Sequence, residues 1–177
     1  MKNFVLMVCV VSLAAFTGAA ASQGTPKEVA RVLSKPNLHG KTTTRYWGFK
    51  LYDAQLWTDG QGAFNRAEKF ALTLRYAYAF SAEVLARSSV EEIARVEGAS
   101  PAKFAKLETK LRKCLIDVDK GDRVTGVADG ANRVTMFING RKSCSMKYPR
   151  LRDRFFGIWL APTSRDAKGA ARLVGNF

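Results

Sequence analysis

Arg45, Lys50 and Tyr52 stand close together in the stretch TRYWGFKLYDAQLW, Thr44–Trp57. An Arg guanidinium holds a carboxylate in two-pronged fashion, and a Tyr hydroxyl adds a further hydrogen-bonding group. Trp47, Phe49 and Trp57 place large rings among them. Cations and a phenol beside apolar surface suit a pocket for an amphipathic ligand with an acidic head. The plainer account of the same residues is an aromatic core strand with outward charges, Asp53 being paired with Lys50 or Arg45. Both accounts stay open at this level.

The alternation of apolar and polar residues across this stretch is that of a half-buried strand. Gly48 interrupts it and reads as a bulge or kink within the strand. Beyond it, Tyr52, Ala54 and Leu56 share one face, and Leu51, Asp53 and Trp57 share the other.

Other chemistry finds little footing. There is no Gly-x-Ser-x-Gly, and His39 is the sole histidine. Gly121–Gly126 lacks the run of free backbone amides that cradles a phosphate. The remaining cysteines have no His or Cys at ligand spacing, so no metal site is expected. No motif calls for a cofactor.

Residues 1–21 read as a secretory signal peptide. Lys2 supplies the positive start, Phe4–Phe16 the apolar run, and Thr17–Ala21 the small residues of a cleavage site. Residues 22–177 are then a single domain, expected in the periplasm or outside the cell. Export leaves Cys114 and Cys144. In an oxidising compartment they can pair, or they can stand as two separate buried thiols; sequence gives no distance between them. The formal net charge is +14. It favours anionic partners, such as a membrane surface or an acidic small molecule, and export argues against nucleic acid. Solubility alone is the bland alternative.

The elements that must position the candidate residues follow in order. Ser22–Leu38 reads as a turn or two of helix or an irregular entry strand, ending at Pro36-Asn37. Phe70–Phe80 alternates cleanly, with Phe70, Leu72, Leu74, Tyr76, Tyr78 and Phe80 on one face. Helical spacing covers Ser81–Glu97, where Ser89 and Glu92 read as an internal capping box that divides it in two. Gly98 closes it, and Ser100-Pro101 opens a helix to about Ile116. From Gly121 the period returns to two. Asp129-Gly130 and Asn139-Gly140 then mark a three-stranded antiparallel meander. Pro149–Leu160 is helical, with Ile158 and Trp159 on its apolar stripe, and Thr163 or Ser164 caps a last helix to about Val174. The layout is α+β: a mostly antiparallel sheet with helices layered on one face.

Four segments in this order carry a resemblance: GFKLYDAQLW at Gly48–Trp57, ALTLRY at Ala71–Tyr76 followed by FSAEVLARSSVEEI, GDRVTG at Gly121–Gly126, and FFGIWL at Phe155–Leu160. Together the chain resembles the chalcone isomerase-like proteins, in their exported bacterial branch. The resemblance implies an open-faced β-sandwich, a large antiparallel sheet with helices on one side. It implies a cleft that some members use to cyclise chalcones, through an Arg with Thr, Tyr and Asn, and others use to hold a fatty acid through Arg and Tyr. Carried over, Tyr52 falls near the isomerase Thr. Arg45 is the nearest Arg to the family position, where strict registration from Lys50 places Thr42. The helical Tyr and Asn fall near Lys103 and Lys110, which cannot play those parts. The expectation is therefore a binding protein without catalysis for a small apolar or amphipathic acid. Arg45, Tyr52 and Lys50 would grip its head, and Trp47, Phe49, Tyr76, Tyr78 and Trp159 would line the slot. An isomerase or intramolecular lyase acting on a phenolic substrate, and a basic envelope-surface module, are the alternatives.

Overall fold

The structure, a computed structural model, describes residues 24–175. The leader expected over residues 1–21 lies outside them. The stretch expected as one kinked strand is a hairpin. Strand β1, Pro36–Tyr46, runs antiparallel to β2, Phe49–Asp59, across the two-residue turn Trp47-Gly48. Both turn residues have positive φ, 51° and 81°. That is the left-handed pair that lets a two-residue loop follow the twist of its strands. The signal was hidden because a bulky aromatic occupies the position where Asn or Asp is usual. The reversal sets Arg45 opposite Lys50 and sends the Trp47 and Phe49 rings out to the tip.

Four more strands continue the sheet: β3 Phe70–Tyr76, β4 Arg123–Ala128, β5 Arg133–Ile138 and β6 Arg141–Lys147. All pairings are antiparallel, and spatial order follows chain order from β1 to β6. Asn139-Gly140 joins β5 to β6 with φ of 49° and 83°, as its sequence implies.

Helix α1, Lys27–Val32, precedes β1, so Pro36-Asn37 opens a strand rather than ending an element. Four helices cover one face: α2 Ala82–Glu97, α3 Ala105–Cys114 after a 3-10 turn at Pro101–Phe104, α4 Leu151–Leu160 and α5 Ala167–Val174. Helix α2 is continuous. Ser81 caps it by accepting from the Val84 amide, and Gly98 closes it in the left-handed conformation. Ser89 donates to the Leu85 carbonyl one turn back instead of capping. Asp166, not Thr163 or Ser164, caps α5 by accepting from the Gly169 amide at 2.8 Å.

The main core lies between sheet and helices. Phe70, Leu72 and Leu74 of β3 pack with Leu107 and Leu111 of α3 and Phe156 of α4. A smaller cluster on the opposite face sets Val29 of α1 and Leu33 against Trp57, Ala71, Val127 and Phe137. Beside it, the fully buried Glu28 accepts from Arg123 Nε at 2.7 Å, Arg123 Nη2 at 3.0 Å and Thr125 Oγ1 at 2.8 Å. At the far edge, Cys114 and Cys144 are joined as a disulfide with Cα atoms 5.4 Å apart, tying the end of α3 to β6.

Helix α5 lies directly on β1. A Cβ on Gly40 would run into the backbone carbonyls of Arg172 and Leu173. Gly40→Ala is therefore expected to push α5 off the sheet and to cost about 2 kcal/mol, the usual scale of overpacking. Urea unfolding measures this. A loss below about 0.5 kcal/mol would mean that α5 adjusts freely.

Candidate binding cavity

Sheet and helices do not close fully on one another. Between them lies a cavity of about 450 Å³, within the range of small-molecule sites. Leu72, Leu74 and Tyr76 of β3 form part of its floor, and Leu85, Phe155 and Trp159 part of its roof. Gly126, in the middle of β4, has the Phe155 and Phe156 rings 3.2–3.4 Å from where a Cβ would sit. The missing side chain lets α4 approach the sheet there, which helps to bound the cavity.

Several polar groups of the wall are engaged with one another. Trp159 donates its indole N–H to the Tyr52 hydroxyl at 3.0 Å. Thr44 Oγ1 donates to Asp166 Oδ2 at 3.4 Å, and the other oxygen of that carboxylate caps α5. Burial is the main influence raising the Tyr52 pKa, helped by the nearby Asp166 and Glu92 charges and opposed by the neighbouring Thr44 hydroxyl and the Trp159 hydrogen bond. Burial likewise raises Tyr76. Both phenols are therefore neutral at physiological pH and keep their protons for donation. Glu92 is nearly buried and accepts from Arg95 Nε at 2.9 Å and from the Arg165 amide at 3.0 Å. Burial acts to raise its pKa, but these bonds and the two guanidinium charges outweigh it, so the carboxyl is held below the usual range. Thr42 Oγ1 and Ser164 Oγ, on residues of the same wall, are buried without a hydrogen-bond partner among the described residues.

The expected site residues divide in two. Arg45, Tyr52, Tyr76 and Trp159 border the cavity. Arg45 stands at its mouth. It is exposed, donates to the Gly48 carbonyl at 3.2 Å, and has no carboxylate within salt-bridge distance among the described residues. Lys50, Trp47, Phe49 and Tyr78 do not line it. Lys50 pairs with Asp53 at 2.6 Å, and Asp53 also accepts from Thr43. Trp47 and Phe49 are 84% and 65% exposed at the hairpin tip. Tyr78 follows the end of β3, where the two-residue period no longer fixes its side, and it too is exposed. Thr42 does belong to the wall, whereas Lys103 and Lys110 lie exposed on the outer side of the 3-10 turn and α3. Thr44, Glu92, Ser164, Arg165 and Asp166 were not expected in the wall. Glu92 and Ser164 carried only capping signals, and these residues meet through tertiary packing.

No protein-family model matches the chain, and no curated protein matches it in sequence. Among solved structures it is similar to the crystal structure of a fatty-acid binding protein of Arabidopsis thaliana, with a TM-score of 0.63 and 11% identity. The match covers 80% of this chain and 88% of that one. At that identity the likeness is one of fold: six antiparallel strands in an open sheet, helices packed over one face, the chalcone isomerase-like architecture.

Proposed function

We propose that this chain is an exported chalcone isomerase-like protein, of the bacterial branch its sequence resembles, that holds a small apolar or amphipathic acid between sheet and helices without transforming it. The observation that carries this reading is an apolar cavity of about 450 Å³ with the Arg45 guanidinium at its mouth, bonded to the Gly48 carbonyl and without a carboxylate partner among the described residues. The charges also orient the guest. Arg45 attracts a carboxylate at the mouth, while inside Arg165 is already engaged by Glu92 and Asp166 adds negative charge, so the head faces outward and the tail inward. The phenols of Tyr52 and Tyr76 add polar points on an otherwise greasy wall. The Arabidopsis neighbour is a fatty-acid binding protein, which is consistent with such a guest.

Binding without catalysis rests on positions away from that wall. The isomerase members' Tyr and Asn fall near Lys103 and Lys110, which lie exposed and outside the cavity lining. Export rests on the leader-like residues 1–21, and the Cys114–Cys144 pair suits an oxidising compartment.

The test is direct. Mature protein, denatured and extracted, should release a fatty or aromatic acid by mass spectrometry, and added fatty acid should raise the melting temperature. Arg45→Ala should weaken fatty-acid binding about tenfold, the loss of one charge-assisted contact. Protein that carries no acid and gains no stability from any would end the proposal. Turnover of chalcones would move it to the isomerase alternative.

A further inference from the structure

We propose that the β1–β2 hairpin tip is an interfacial anchor that seats the cavity mouth on an anionic phospholipid bilayer. Tyr46, Trp47 and Phe49 expose 56%, 84% and 65% of their surface at this one turn. Tyr78, 48% exposed, stands at the same end of the sheet, since its neighbour Ala77 donates to the Leu51 carbonyl of β2. Nothing inside the fold explains this cluster. Trp47 even occupies a left-handed position that a small residue fills with less strain. A cluster of exposed large rings on a soluble domain marks a contact with something else.

Its composition fits a lipid–water interface. Trp and Tyr concentrate there because their rings are apolar and their N–H and O–H remain hydrated. Arg45 and Lys50 flank the rings, although Asp53 already offsets Lys50. The formal charge of +14 draws the whole chain to a negative surface. The tip is also continuous with the cavity, because Arg45 and Tyr46 border both. A guest leaving the bilayer would thus meet the mouth without crossing water. This last consequence rests on the ligand-binding reading above; attachment of the tip does not.

The experiment is co-sedimentation of the mature chain with two kinds of vesicle. One is phosphatidylcholine alone, the other phosphatidylcholine with one quarter phosphatidylglycerol. Binding to the anionic vesicles is expected, with Trp47→Ser plus Phe49→Ser lowering the partition coefficient on the order of tenfold or more. Both side chains project into solvent, so the melting temperature should hold, and fatty-acid stabilisation without vesicles should be unchanged. That second measurement reports on the cavity alone and separates failure of the anchor from failure of the ligand reading. The anchor is overturned if the chain ignores anionic vesicles at low salt. It is equally overturned if binding survives the double substitution, or if the substitution changes only self-association of the free chain.

Discussion

Glu28→Gln is expected to cost about 3 kcal/mol of folding stability. The carboxylate is fully buried, and Arg123 meets it with two hydrogen bonds while Thr125 supplies a third. Removing one partner of a buried pair leaves the other charge uncompensated, a loss of about 3–5 kcal/mol. The lower end applies because the Arg123 side chain is 23% exposed and can recover some hydration. The pH dependence follows from the same contacts. Burial alone would raise the Glu28 pKa, but hydrogen bonds from Arg123 and Thr125 and the Arg123 charge bring it below its ordinary value. A depressed folded pKa contributes stability above the unfolded value of about 4.3 and loses it as pH falls through the folded value. The gap between native protein and variant should therefore narrow as the solution is acidified below about pH 4. Denaturant titrations at several pH values measure both effects. A neutral-pH loss under about 1 kcal/mol, or a gap insensitive to acid, would show that the pair does not hold α1 to the back of the sheet.

Removal of the Cys114–Cys144 bond is expected to be of similar size, about 3–4 kcal/mol. The bond closes a loop with a sequence separation of 30, and constraining such a loop in the unfolded chain has roughly that effect in the chain-entropy model. The double substitution Cys114→Ala with Cys144→Ala leaves no stray thiol and is the cleaner test. Unfolding of the native protein with and without reductant should match it. Should the reduced and oxidised forms unfold at the same denaturant concentration, the unfolded chain must already be compact across this loop.

The sheet and its helical cover were readable because they rest on local rules. The two-residue period in Phe70–Tyr76, the Asn139-Gly140 turn and the Gly98 cap each act within a few residues. Three of the expected residues border the cavity for the same reason. Strand parity puts Tyr52 and Tyr76 on the helix side, and helical spacing turns Trp159 toward them. Tyr78 lies past the end of β3 and Lys50 pairs with Asp53, whereas Trp47 and Phe49 depended on one misread turn. Taking Trp47-Gly48 as a kink rather than a reversal kept Trp47 and Phe49 in the sheet, and the structure places them at its tip. Glu92, Arg165 and Asp166 meet at the wall through the docking of α2 against the α4–α5 corner, which no local pattern encodes.

The outermost strand, Arg141–Lys147, carries Arg141, Lys142 and Lys147 exposed along its length. Its free side offers a row of amides and carbonyls that could template another copy of the chain, the first step toward ordered aggregates. Like charges meeting across such a seam repel one another, and the register shift at Met136/Phe137 disturbs its regularity. The excess of positive charge thus also keeps its molecules from zipping together.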